Sequence, residues 1–230
     1  MQMYSRLRHK HRIKGKVIFT PDYISQELFS VVKKPIEKEV IAFEDQGIRP
    51  IIFDPCVGQG SLLLPFKKYF GDRIETLGID VVDYEGRQGC DSFLKKDWLS
   101  VSFKDVDFSR VIFSCIHPPF ADFQEMPDYE NAQWKAKVNL HNRSNGFLPE
   151  IFFQRLIDFQ RVPKAVLIGS MGFRLNQRMV SRRRKKFMAD LDNKITGIIS
   201  YPLDAFPGTS YHVEGLIWNL LGVEPHVWGA

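Results

Sequence analysis

Short apolar runs and stretches of helical periodicity alternate along most of this chain. Apolar residues recur at helical spacing between residues 24 and 32, whereas the short apolar runs end on Gly, Pro or an acid, which is typical of buried strands. The pattern predicts strands at 50–53, 75–81, 88–94, 107–116, 164–170, 194–201 and 211–221. It predicts helices at 23–32, 33–47, 61–70, 147–157 and 176–190. Strands that alternate with helices favour an α/β fold.

Three prolines are expected to shape the helices. Thr20 is expected to cap the first helix, with Pro21 at its first helical position. Pro35 is expected to break that helix, because proline lacks the N–H that a helix interior needs. Pro65 falls within 61–70 and is expected in the first turns of that helix or at a kink.

The stretch 51–61 is the most informative in the chain. Three apolar residues end on Asp54, a tight turn with Gly58 and Gly60 follows, and an apolar run then begins. Glycines at such a turn let the backbone pass close to a ligand, which sits at the carboxyl end of the strand. Dinucleotide sites and methyltransferase sites share this arrangement, so the glycines alone do not choose between them.

Two further acids follow predicted strands. Asp80 ends the second strand 26 residues after Asp54, the spacing at which a carboxylate binds ribose hydroxyls in nucleotide-binding folds; the alternative is a turn aspartate. Asp97 precedes Trp98, a pair that suits an adenine ring and its amino group. The alternative for this pair is an exposed turn with a Trp that anchors the core.

The strand 107–116 ends in the tetrapeptide His117-Pro118-Pro119-Phe120. Its two prolines remove two backbone donors and stiffen the turn, which leaves carbonyl groups beside an aromatic ring. Such a feature fits a planar base better than an ordinary turn. A long polar segment, 121–146, follows, and loops of that length are usually functional or mobile.

Bulk composition narrows the class of protein. A chain of 230 residues that is 44% hydrophobic and 26% charged suits a single soluble domain. It has no apolar run of the roughly 20 residues that span a bilayer, and its beginning has no signal core, so membrane insertion and secretion are not expected. The three cysteines have no CxxC spacing, which favours reduced cytosolic thiols over a disulfide or metal framework.

The net charge of +5 hides two basic blocks. Residues 1–16 hold six Lys or Arg and no acid, and the second block holds seven, so the rest of the chain is net −8. Its members are Arg174, Arg178, Arg182, Arg183, Arg184, Lys185 and Lys186. Two basic blocks on an acidic body favour a polyanionic partner such as nucleic acid. The alternative is a basic tail and a solvated helix face.

Taken together and in this order, these stretches resemble class I S-adenosylmethionine-dependent amino-methyltransferases. The closest likeness is to bacterial and phage DNA adenine-N6 methyltransferases, over roughly residues 18–222. The resemblance implies a Rossmann-like, seven-stranded, mostly parallel α/β sheet with helices on both faces and an antiparallel last strand. It implies an arm at 1–16, a single domain at 17–230 and no separate target-recognition domain. It also implies a cytoplasmic protein of a prokaryote, or of the host cytoplasm if phage-encoded, without a metal.

The resemblance also implies the site residues. The cofactor is S-adenosyl-L-methionine, and its binding residues are Thr20, Pro21, Asp54, Pro55, Cys56, Gly58, Gly60, Asp80, Val81, Asp97 and Trp98. The catalytic tetrapeptide is His117, Pro118, Pro119 and Phe120, which would hold a flipped adenine. The Arg/Lys block would bind the phosphates of DNA or RNA, and a partner subunit could supply target recognition. Restriction-modification is among the roles that this family has.

His117 departs from the family, which has Asn, Asp or sometimes Ser at that position. There the side chain and a proline carbonyl accept the two hydrogens of the target amine. A neutral His could accept through one ring nitrogen, whereas a protonated His could not and would repel the sulfonium. His117 therefore leaves open a degenerate nucleic-acid-binding or partner subunit. Because the same tetrapeptide occurs in enzymes that methylate RNA adenine or a glutamine side chain, those two substrates stay open as well.

Overall fold

A computed structural model describes residues 18–119, 148–160, 163–170, 194–206 and 212–223. Its helices are α1 (Asp22–Glu44), α2 (Leu64–Phe70) and α3 (Leu148–Phe159). Its strands are β1 (Ile51–Asp54), β2 (Glu75–Asp80), β3 (Ser92–Lys95), β4 (Val111–Ile116), β5 (Ala165–Ser170), β6 (Ile195–Ser200) and β7 (Val213–Trp218). The predicted arm 1–16, the loop 121–146 and the basic helix 176–190 lie outside the described residues.

The seven strands form one sheet in the order β3-β2-β1-β4-β5-β7-β6. The first five strands are parallel to one another, and β7 runs antiparallel to both β5 and β6. The predicted α/β fold with a mostly parallel sheet and an antiparallel last strand is thus confirmed. Because β1, β2 and β4 are parallel neighbours, their carboxyl ends lie at the same edge of the sheet. Asp54, Asp80 and His117 are therefore all at that edge.

An apolar cluster covers each face of the sheet. On one face Ile52 packs with residues of α1 and α2, including Ile24, Leu28 and Phe66. On the other face the flanking residues of β1, Ile51 and Phe53, pack with α3 and with the segment after β3. Successive strand residues point to opposite faces, so the continuous apolar run of β1 serves both clusters.

Helix α1 corrects two of the expectations from sequence. It runs unbroken from Asp22 to Glu44 with Pro35 inside it. Its buried stripe, including the fully buried Val32 and Ile36, packs on the sheet on both sides of the proline. This packing outweighs the roughly 3 kcal/mol that an interior proline costs. Pro21, not Thr20, occupies the N-cap position, and no side chain caps the helix.

Helix α2 begins at Leu64, three residues later than predicted from the apolar run. Pro65 therefore lies in its first turn, where the missing N–H has no helical partner to lose. The residues between β1 and α2 instead form turns that connect the strand to the helix. Among the residues that the structure describes, no helix is long and apolar enough to cross a membrane.

Candidate functional site

The carboxyl end of β1 carries a buried acid. Asp54 is 1% exposed, and its Oδ1 accepts a hydrogen bond of 2.9 Å from the backbone amide of Cys56. The pKa of Asp54 is raised to about 7: burial raises it most, the hydrogen bond from the Cys56 amide lowers it, and the neighbouring Asp80 charge raises it. Asp54 thus lies close to the point at which small changes in its surroundings decide whether it is ionised near neutral pH.

Asp80 closes the glycine turn from the end of β2. Its Oδ2 accepts from the Gly58 amide at 2.9 Å, and its Oδ1 accepts from the Val82 amide at 3.0 Å. A further backbone hydrogen bond of 2.9 Å runs from Val57 to Ile79, which fixes the turn against β2. A carboxylate has about four acceptor positions, so Asp80 retains acceptor capacity for hydroxyl groups of a ligand.

The glycines of the turn make room for the protein itself. Gly58 has φ +51°, and an added Cβ would lie 3.2 Å from the ring of Phe19. Gly60 has φ +86°, and an added Cβ would lie 1.9 Å from the carbonyl oxygen of Gln88. The expectation that the missing Cβ atoms admit a ligand is therefore incomplete, because in this structure protein atoms occupy that space.

Arg87 is a residue of this site that the sequence analysis did not single out. Its Nε donates to the Gly58 carbonyl at 3.0 Å, and its guanidinium also donates to the Val82 carbonyl and to Asp83. The guanidinium carbon lies 3.4 Å from the ring centroid of Phe93. Arg87 thereby joins the glycine turn to the end of β2. A lone arginine in a polar loop between strands gives no periodicity signal that would have revealed this role.

In this structure Asp97 and Trp98 both have partners within the protein. Asp97 caps a short 3₁₀ turn by accepting from the Leu99 amide at 3.0 Å. Trp98 is 1% exposed, and its indole N–H donates to the Phe152 carbonyl at 3.1 Å. Its ring packs 5.4 Å from the ring of Phe53. The prediction that Trp98 offers a ring face to the cofactor is corrected: the indole anchors the core beneath the sheet edge.

His117 follows β4 at the same sheet edge. Its Nδ1 lies 2.7 Å from the Thr20 hydroxyl oxygen, and its ring centroid lies 5.1 Å from that of Phe206, which is 1% exposed. Desolvation by the surrounding protein lowers the pKa of His117 to about 4. The imidazole is therefore neutral at pH 7, so it has one donor and one acceptor nitrogen.

Cys56 connects the two halves of the site. Burial raises the pKa of its thiol well above the usual range, with the Asp54 charge adding to this shift and the His117 backbone amide opposing it. The thiol thus lies between the buried acid after β1 and the backbone that follows β4. A thiol with a raised pKa is a poor nucleophile, so Cys56 is a packing residue here.

The remaining predicted residues divide into those near the site and those not described. Val81, next to Asp80, is 57% exposed at the mouth of the turn. Pro118 is buried and Pro119 exposed. Phe120 and the seven-residue Arg/Lys block lie outside the described residues. The structure therefore brings Asp54, Cys56, Gly58 and Asp80 together with His117 and Thr20 at one edge of the sheet.

A cavity of about 580 Å³ lies elsewhere, at the edge where β4 begins. Phe103, Phe108 and Phe159 line it, together with polar groups of the loop before β4. Because β4 carries His117 at its other end, this cavity is remote from the acids and the glycine turn. No group of three or more His, Cys, Asp or Glu able to hold a metal occurs in the described parts of the chain.

Comparison with solved structures finds similar folds among proteins named as methyltransferases. The methyltransferase subunit of a type I restriction-modification system from Streptococcus thermophilus matches with a TM-score of 0.51 and 16% identity. The match covers 95% of this chain and 48% of that subunit, so the chain spans about half of its length. At this identity the likeness shows a shared fold and nothing finer.

Two further matches have TM-scores below 0.5. TrmN from Thermus thermophilus matches with a TM-score of 0.47 and 13% identity, over 86% of this chain and 48% of that one. Magnesium protoporphyrin IX methyltransferase from Synechocystis, with bound SAM, matches with a TM-score of 0.39 and 12% identity, over 92% of this chain and 89% of that one. No protein-family model matches the chain, and no curated protein sequence matches it.

Proposed function

We propose that this chain is an S-adenosylmethionine-dependent methyltransferase that modifies the exocyclic amine of adenine in nucleic acid, with N6 of DNA adenine as the target. The observation that carries the proposal is the meeting of two strand-end acids, Asp54 and Asp80, with His117 at one edge of this sheet. Ligands of open parallel sheets bind at that edge, where the order of the strands reverses between β1 and β4.

The residues after β1 and β2 fit a cationic nucleoside cofactor. The carboxylate of Asp80 has acceptor capacity beyond its two backbone hydrogen bonds, which suits ribose hydroxyls. The charges of Asp54 and Asp80 complement a positively charged ligand. S-adenosylmethionine supplies an electrophilic methyl group when it is bound. The residues after β1 and β2 would orient the cofactor.

His117 and the prolines after it are suited to the target amine. A neutral imidazole can accept a hydrogen bond from one N–H of the amine, and a proline carbonyl can accept one from the other N–H. These contacts would draw positive charge away from the nitrogen and fix the orientation of its lone pair. The lowered pKa of His117 supports this role, because the protonated ring would repel a cationic methyl donor. The target base in a duplex would have to be flipped into the site.

Nucleic acid is the proposed substrate class on grounds of charge. Thirteen Lys and Arg residues lie in two blocks without acids, and phosphate groups provide a matching series of negative charges. The type I restriction-modification name of the first matched structure supports DNA over RNA. Because this chain spans about half of that subunit, recognition of a target sequence is proposed to come from a partner.

Titration calorimetry with S-adenosylmethionine, followed by a methyl-transfer assay, tests the proposal. Tritium-labelled cofactor is incubated with DNA, RNA or protein, and labelled nucleic acid is digested to nucleosides. We expect cofactor binding and label in N6-methyladenine from DNA. Absence of binding would refute the cofactor, label in RNA or glutamine would change the substrate, and loss of transfer in His117→Ala would place His117 at the amine.

A second candidate is a degenerate subunit that binds nucleic acid or a partner without catalysis. The observation in its favour is His117 itself, since the resembling family has Asn, Asp or Ser there. The same assay distinguishes the two functions. If the wild-type chain transfers no label and His117→Asn restores transfer, the second candidate is correct.

A further inference from the structure

Three distant segments of the chain meet at the imidazole of His117. The residue itself follows β4, Thr20 precedes α1, and Phe206 lies in the loop after β6. The Thr20 hydroxyl oxygen lies 2.7 Å from Nδ1, and the Phe206 ring packs 5.1 Å from the imidazole. Thr20 is 8% exposed and Phe206 1% exposed, so both partners of the ring are themselves buried.

The Thr20 contact couples the role of the hydroxyl group to the position of the ring proton. A neutral imidazole has one N–H and one lone pair, and the hydrogen bond at one nitrogen fixes the role of the other. If Nδ1–H donates to the Thr20 oxygen, then Nε2 is an acceptor. If the Thr20 hydroxyl donates to Nδ1, then Nε2 carries the proton and is a donor.

Only one of these two forms suits a target amine. A donor at Nε2 would face the N–H groups of the amine and would direct a partial positive charge toward a cationic methyl donor. An acceptor at Nε2 would accept a hydrogen bond from the amine, as the side-chain oxygen of Asn or Asp could do. A histidine can therefore replace those residues only if its tautomer is controlled.

We propose that Thr20 is a positioning residue that holds His117 in the tautomer with the proton on Nδ1, so that Nε2 accepts a hydrogen bond from the target amine. The inference rests on the proposed function for the identity of the amine. The tautomer itself is a property of the free protein. The proposal gives Thr20 the role of fixing the His117 tautomer at the place of the target amine. Its position in the sequence predicts a helix cap instead, which the structure does not show.

Nitrogen-15 NMR of histidine-labelled protein at pH 7 measures the tautomer directly. The His117 signals are assigned with His117→Gln, and two-bond correlations from the ring protons show which nitrogen is protonated. We expect Nδ1–H in the wild-type protein. In Thr20→Val, which keeps the shape but removes the oxygen, we expect the tautomer ratio to shift about tenfold toward Nε2–H. Predominant Nε2–H in the wild-type protein would overturn the proposal.

Kinetics of the same variants separates positioning from packing. We expect kcat to fall about tenfold in Thr20→Val with the KM for S-adenosylmethionine unchanged, and Thr20→Ser to restore both kcat and the tautomer. The matched control is Thr76→Val, which removes a fully buried, hydrogen-bonded threonine hydroxyl from the other end of β2. A similar loss of kcat in both valine variants would show only a structural effect and would overturn the proposal.

Failure of the proposed function gives a different result. If S-adenosylmethionine does not bind the wild-type protein in calorimetry, the cofactor assignment fails, whereas the NMR measurement on the free protein still reports the tautomer. If the cofactor binds but Thr20→Val weakens its binding and leaves the tautomer unchanged, Thr20 belongs to the cofactor side of the site. That outcome would refute the positioning role and leave the proposed function intact.

Discussion

The glycine turn after β1 and the His117 end of β4 lie at the same edge of the sheet, but they are built in different ways. The side chains that hydrogen-bond to Gly58 in the turn, Asp80 and Arg87, are no more than 29 residues away. The ring of His117 contacts Thr20, which is 97 residues away, and Phe206. A turn of the first kind is recognisable as a sequence motif, whereas a side-chain environment of the second kind is not.

Electrostatics gives a second contrast between the two regions. Burial raises the pKa of Asp54 to about 7 and lowers that of His117 to about 4. The cause is the same in both cases, because a low-dielectric surrounding disfavours the charged form of either group. The same burial therefore disfavours the carboxylate of Asp54 and the imidazolium of His117 at the edge where a cation is proposed to bind, and it leaves Asp54 close to its titration point at neutral pH.

Substitution of Gly60 should have the largest effect on the glycine turn. Gly60→Ala should lower the free energy of unfolding by about 3 kcal/mol, because it combines strain at a positive φ with a clash against the Gln88 carbonyl. The control is Gly47→Ala, at φ +69° with nothing within 4 Å of the added Cβ, which should lower it by about 1 kcal/mol. Equal losses in chemical denaturation would contradict the close packing at Gly60.

Asp54 and His117 should give the stability opposite pH dependences. Asp54 has a raised pKa in the folded state, so its contribution to stability is lost as pH rises from 4 to 7. His117 has a lowered pKa, so its contribution is lost as pH falls from 6.5 to 4. Each should add at most about 1.4 kcal/mol per pH unit to the slope of the unfolding free energy.

Variants separate these two slopes. Thermal and urea unfolding between pH 4 and 7 should show that Asp54→Asn makes the stability rise more steeply with pH. His117→Asn should make it fall more steeply with pH. A slope unchanged in either variant would mean that the side chain titrates in the folded protein as it does in the unfolded chain.

Substitution of Arg87 should give the smallest effect, a change in affinity for the cofactor. Arg87→Gln removes the donors to the Gly58 and Val82 carbonyls, and cofactor affinity in calorimetry should fall about fivefold for the loss of roughly 1 kcal/mol. The matched control is Arg73→Gln, whose guanidinium pairs with Glu44 at the end of α1, away from the turn. Equal affinity in the two variants would remove Arg87 from the site.

Sequence patterns predicted the elements better than the partners of individual side chains. The apolar run of β1 and its terminal acid were predicted because burial on both faces leaves a continuous apolar signal. The break at Pro35 was wrong, since local proline chemistry does not include the packing of α1 on the sheet. Trp98 was predicted to contact the cofactor, but its ring is buried in the core beneath the sheet edge.

The sequence by itself determined the alternation of strands and helices, the acids at strand ends and the glycines that a tight turn requires. These features depend on residue type and spacing alone. The tertiary structure decided which groups meet: the Gln88 carbonyl against Gly60, and Thr20 and Phe206 against His117. It also decided charge, because the neutral state of His117 follows from desolvation by segments that only folding brings together.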